Sequence, residues 1–218
     1  MNWTDEGYIL NINLYGENSS IVSILSKDHG HHKGVVYGAT SSKIKKLLHI
    51  GNKIKVQWKS KSENAVGYYN FELLEAITPK YFDDIKRLHA ILSATNICLK
   101  TLPERNKYLL IYENFENLLN QLSNNFFFKE YVLFEKILLS ELGYNLDIND
   151  ETKNDFIKIF NKTLTYPQFF IDKTLSFNNK DIYNGLLINK FQFLNYIFEP
   201  NKIKFPNCRI KLENFFNE

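Results

Sequence analysis

Residues 53–59 alternate with a period of two, Ile54, Val56 and Trp58 on one side and Lys53, Lys55, Gln57 and Lys59 on the other. Side chains of an extended strand point to opposite faces in turn, so such a segment requires a sheet with one buried and one solvated face. The same period recurs through most of the first 78 residues. In YILNINL it sets Tyr8, Leu10, Ile12 and Leu14 against Ile9, Asn11 and Asn13. Gly16-Glu17-Asn18-Ser19 turns the chain into SIVSIL, and Lys27-Asp28-His29-Gly30 turns it into KGVVYGA. A short helical or irregular stretch over residues 41–48 separates these from the fourth strand, and Tyr69, Phe71 and Leu73 mark the inner face of a fifth. Five short strands of this kind close into a small barrel, of which the OB-fold is the commonest form; another small barrel or a sandwich is the alternative.

After Thr78-Pro79 the period changes to that of a helix. Ile85, Leu88, Ile91, Leu92 and Ile97 share one face of a segment that starts near Asp83 or Asp84. Pro103-Glu104 is expected to start a second helix running to residue 122, and a third over residues 126–143 stops at Gly143. Residues 144–182 are polar and irregular, with one helix expected over ETKNDFIKIF (151–160), and helices over 185–198 and 207–216 close the chain. The expected fold class is α+β: a five-stranded OB-fold barrel over residues 1–78 and an all-α helical domain over 79–218. With 44% hydrophobic residues in 218, the chain can bury cores for both.

Charge is segregated along the chain. Residues 1–26 hold three acids and no base, whereas residues 27–61 hold nine lysines against the single Asp28. On the fourth strand Lys53, Lys55 and Lys59 project together, and in the third Lys33, Val35 and Tyr37 share a face, a cation beside an aromatic ring. Phosphates attract such cations and unpaired bases stack on such rings. Lys33, Tyr37, Lys43, Lys45, Lys46, Lys53, Lys55, Lys59 and Lys61 are therefore candidate nucleic-acid-binding residues. His31 and His32, read as lying on a solvated turn, would add positive charge when protonated. Trp58 falls on the apolar face and is assigned to the core.

Enzymatic chemistry finds no support. Asp28, His29, His31 and His32 have neither a helical i, i+4 pair nor a distant ligand to complete a metal site. No GxxxxGK[ST], HExxH, GxSxG or GxGxxG motif occurs, and Cys98 lies in an apolar helical pattern as a buried thiol. No catalytic residue, cofactor or metal is expected. The two cysteines cannot form a disulfide framework, no apolar run approaches a bilayer's thickness, and the N-terminus lacks the basic and apolar regions of a signal peptide. A cytoplasmic setting is expected.

The order DEGYIL, YGENSSIVSIL, SKDHGHHKG, GVVYGATSSK, LHIGNKIKVQW resembles the N-terminal part of the bacterial DNA repair protein RecO family, closest to its alphaproteobacterial members. Glu6-Gly7, Gly16-Glu17, Gly30, Gly34, Gly38-Ala39 and Ser42 fall on that family's pattern, and KILLSELGYNLD is similar to a later segment of it. The resemblance implies an OB-fold followed by helices, and a recombination mediator, associated with the bacterial nucleoid, that binds single- and double-stranded DNA and anneals complementary strands. It also implies RecR and the acidic C-terminal tail of single-stranded-DNA-binding protein as partners, with RecA loaded indirectly, and no membrane. Many members carry a four-cysteine zinc module after the LGxxLD-like segment; residues 148–180 contain no cysteine, so zinc is not expected. The rival readings are an OB-type RNA-binding or translation-associated module and an adaptor for acidic peptides.

Overall fold

The computed structural model describes residues 1–62, 65–144, 156–159 and 162–216. Five strands form a closed barrel in the order β1-β2-β3-β5-β4: β1 (Asn2–Tyr15), β2 (Ser19–Ser26), β3 (Gly30–Tyr37), β4 (Lys53–Lys59) and β5 (Tyr68–Glu75). Helix α1 (Ser42–Lys45) joins β3 to β4, and all neighbours are antiparallel except β3 and β5, which meet at Val35 and Tyr68. This is an OB-type barrel. Its core comprises Ile9, Val22, Ile24, Val36, Ile54, Val56, Trp58 and Tyr69, with Phe71 and Leu73 packed against it.

Three local expectations are corrected here. First, the register of β1 against β2 shifts between Ile9 and Asn11, so the alternation breaks at Leu10. A bulge inserts one residue and reverses which side chains face inward. Ile9 and Ile12 consequently both join the barrel core, while Tyr8 is buried elsewhere, 5.5 Å from the ring of Tyr112. Second, the strand after the third turn begins at Gly30, which places His31 and His32 inside β3 rather than on a turn. Third, Pro103 and Glu104 do not start a helix. Residues 102–107 run beside β3 as a strap: His31 and Glu104 form a parallel bridge, and the Arg105 amide donates to the His31 carbonyl at 2.8 Å.

Helices α2 (Ile85–Thr101) and α3 (Leu109–Gln121) flank the strap. Asp84 caps α2 by accepting from the Arg87 amide at 3.0 Å. The chain divides into two compact units, Met1–Glu113 and Asn114–Glu218. The second contains α4 (Phe127–Glu141), a hairpin of β6 (Phe156–Ile159) and β7 (Lys162–Thr165), α5 (Asn179–Phe193) and α6 (Asn207–Glu213). Of the helix expected over 151–160, residues 151–155 and 160 lie outside the described residues and 156–159 are strand. Gly143 follows α4 with φ +86°, a left-handed helix stop. Inside this unit the fully buried Arg209 pairs with the equally buried Glu135 at 2.5 Å and donates to the Leu186 carbonyl at 2.8 Å. No helix among the described residues is long and apolar enough to cross a membrane.

Candidate nucleic-acid interface

Cross-strand partners share a face, and in this barrel they line up three tyrosines. Tyr15 at the end of β1 lies opposite Ser19, Ser19 lies opposite Tyr37, and Tyr37 stands 6.1 Å from Tyr68 ring to ring. Burial of Val22, Ile24 and Val36 inside requires the intervening residues to point out, which is why Tyr37 is 65% and Tyr15 57% exposed. Tyr68 is the outward neighbour of the buried Tyr69, with Lys59 opposite it across the β4–β5 pair.

The lysines surround this row unevenly. Lys43, Lys45 and Lys46 are exposed on or beside α1. Thr40, just before that helix, donates to Asn18 in the β1–β2 turn at 2.5 Å, which ties the lysine-bearing helix to the end of the barrel that carries Tyr15 and Tyr37. Lys61 is exposed beyond β4, in the connection that leads to Tyr68. In contrast, the outer surface of β4 alternates in sign. Lys55 lies between Glu6 and Glu72 in register, and Lys53 pairs with Glu6 at 3.5 Å while its ammonium sits 5.7 Å from the centre of the Tyr8 ring. Lys33 pairs with Glu104 at 2.5 Å, an exposed contact of about 0–1 kcal/mol that competing phosphates can replace.

His31 and His32 stand apart from these lysines. His31 is 3% exposed, with Nδ1 2.8 Å from the Leu102 carbonyl oxygen and Nε2 lacking a hydrogen-bond partner among the described residues. His32 is 5% exposed, with Nδ1 3.1 Å from the Lys33 carbonyl oxygen and 3.2 Å from the Tyr69 hydroxyl. Burial lowers the pKa of both, that of His32 to about 4, so both rings are neutral near pH 7 and add no positive charge. Burial likewise pushes the Tyr69 phenol well above its usual range, which keeps its proton in place.

Sequence reasoning missed Tyr15 and Tyr68. Both were legible: the alternation that puts Tyr69 inside puts Tyr68 outside, and the alternation that sets Ile12 and Leu14 against Asn11 and Asn13 puts Tyr15 on the outer side, beyond the reach of the bulge at Leu10. Trp58 is in the core as expected, 3% exposed, with its indole N–H donating to the Val66 carbonyl at 2.9 Å. Among the described residues no group of three or more His, Cys, Asp or Glu side chains could hold a metal ion, and the chain's two cysteines cannot supply four thiolates.

Barrel topology, a short helix between β3 and β4, and a helical second unit define an OB-fold protein with a helical appendage. Residues 1–77 match the family described as Recombination protein O N terminal. Over 99% of its length the chain is 27% identical to the DNA repair protein RecO of Bartonella quintana (strain Toulouse), covering 98% of that protein. It is 29% identical to the DNA repair protein RecO of Wolbachia pipientis subsp. Culex pipiens (strain wPip) across 96% of this chain and 97% of the relative. A stretch of 151 residues is 34% identical to the DNA repair protein RecO of Rhodopseudomonas palustris (strain BisB18), covering 68% of this chain and 58% of that one. Residues 1–77 thus carry the pattern of the Recombination protein O N-terminal family, and over nearly its whole length the chain is similar to DNA repair proteins RecO.

Proposed function

We propose that the chain serves DNA repair by binding single- and double-stranded DNA and annealing complementary strands, and that it helps load recombinase onto protein-coated single strands. The observation that carries this reading is the exposed row Tyr15, Tyr37 and Tyr68 bordered by Lys59, Lys61 and the three lysines at α1. OB-folds bind oligonucleotides through the loops that follow β1 and β4, where this row lies. Lysines neutralise backbone phosphates and reduce repulsion between two strands, while each stacked base contributes about 1–3 kcal/mol. Pairing energy then comes from the nucleic acid, and no catalytic residue is required. Lys33, Lys53 and Lys55 play the lesser part in this scheme because acids already face them. RecR, the acidic tail of single-stranded-DNA-binding protein and, indirectly, RecA are the partners this role calls for, and the bacterial cytoplasm at the nucleoid is its setting.

The test is the annealing rate of two complementary oligonucleotides, both coated with single-stranded-DNA-binding protein, with and without the chain at two salt concentrations. Acceleration that declines with salt is expected. DNA binding without acceleration would overturn the mediator role, and preference for RNA of equal length would transfer the surface to an RNA-binding function.

A further inference from the structure

The end of the barrel where β1 begins carries a set of rings that the tyrosine row does not use. Trp3 lies opposite Trp58 in register, their rings stacked at 5.5 Å with 19° between planes. His29 stacks on Trp3 at 4.0 Å and 8°. His32 meets both indoles edge-on, at 5.0 and 4.9 Å. Trp58 is the buried member of this stack, whereas 35% of the His29 side chain is exposed. His29 is also held in place. Its Nδ1 is 3.0 Å from Oδ2 of Asp5, a carboxylate that accepts from the backbone amides of Asp28 at 2.8 Å and His29 at 3.2 Å. Beside these rings opens a cavity of about 400 Å³ with Arg105 on its wall. The Arg105 backbone is fixed as well, with φ +66° and an amide bonded to the His31 carbonyl at 2.8 Å.

A cavity with pre-stacked flat rings on one side and a guanidinium on another suits a planar ring joined to an anion. A nucleotide has that chemistry. We propose that this cavity takes one unpaired base of a DNA strand, stacked against His29 and the edge of Trp3, with Arg105 on the adjoining phosphate. The proposal rests on the DNA-binding reading above and adds to it a means of telling strands apart. A base inside a duplex keeps both faces covered and cannot enter, so the cavity selects single strands while the lysine surface accepts either form.

The molecule carries its own reporter, because its only two tryptophans both line this cavity. Tryptophan emission of the full chain is measured with a thymidine oligonucleotide, an abasic strand of equal length and a duplex, binding of each being followed separately by anisotropy. The expected result is a loss of emission with the thymidine strand alone, although all three bind. Arg105→Ala should weaken the thymidine strand roughly tenfold, the size of one lost charge-assisted hydrogen bond to phosphate, and leave duplex affinity unchanged. Unchanged emission at saturation, equal quenching by the abasic strand or the duplex, or equal weakening of all three ligands by Arg105→Ala would overturn the base pocket while leaving DNA binding intact. Absence of binding by anisotropy to all three would remove the DNA-binding reading and the pocket with it.

Discussion

At residue 30 one methyl group tests how the barrel is sealed. Gly30 has φ +65°, and a Cβ there would fall 1.6 Å from the carbonyl oxygen of Asn106 in the strap. Gly30→Ala combines a left-handed backbone penalty with a collision against main chain that has no flexible end to swing away. A loss of about 2–4 kcal/mol is expected, read as a lowered urea midpoint; a midpoint within error of the parent would mean that the strap gives way freely. His32 supplies a second test at this scale. Its folded pKa of about 4 lies below the unfolded value near 6.5, so the unfolded chain binds the proton first as pH falls. Stability from this group is therefore complete above about pH 6.5 and lost progressively as pH drops toward 4, amounting to about 2 kcal/mol between pH 7 and pH 5. His31, shifted in the same direction by burial, adds to the loss. Urea unfolding at those two pH values checks the sign, and a His32→Gln variant should show the shallower dependence.

Among the elements, α1 and the strand ends around it are expected to dominate DNA affinity. Replacing Lys43, Lys45 and Lys46 together with Glu should reduce the salt slope of single-strand binding by about 2, since each phosphate contact contributes about 0.7. Lys53→Glu with Lys55→Glu should cost less, because Glu6 and Glu72 already face those positions. Tyr37→Ala with Tyr68→Ala should weaken single strands at least about tenfold with little change in melting temperature, both rings being exposed. Equal effects from the β4 and α1 charge reversals would shift the interface onto the β4 face. These elements were largely legible beforehand. Apolar residues on every second position of β4 identify its inner face from sequence alone. The bulge at Leu10 left no mark, because Leu10 is an ordinary strand residue and only the partner strand reveals the skipped register. Pro103-Glu104 carries a real helix-start signal, but pairing with His31 and the Lys33–Glu104 contact override it. Phe156, Ile157 and Ile159 fit a helical or an extended period equally well, so four residues could not decide between them.

For the whole molecule the open question is where the folding unit that carries the interface ends. Alternation stops near residue 78, and the strands of the barrel are complete at Glu75. Yet one row on the outside of the barrel, Tyr8 opposite Leu25 and Leu25 opposite His31, is buried to 3% exposure or less, as is the neighbouring Leu10. What covers these residues comes from beyond residue 78: Tyr112 against Tyr8, Leu102 against His31, and α2 along β1. Lys107 adds an ion pair with Asp28 at 2.6 Å. Uncovering Tyr8, Leu10 and Leu25 forfeits about 1.5–3 kcal/mol for each side chain. The sum is comparable to the entire stability of a small domain. A fragment of residues 1–113 is therefore expected to unfold in urea as one cooperative transition and to retain duplex binding, whereas residues 1–78 should show a much lower midpoint or none. Equal midpoints would mean that the closed barrel alone supports the interface, and that α2 and the strap serve some purpose other than stabilising it.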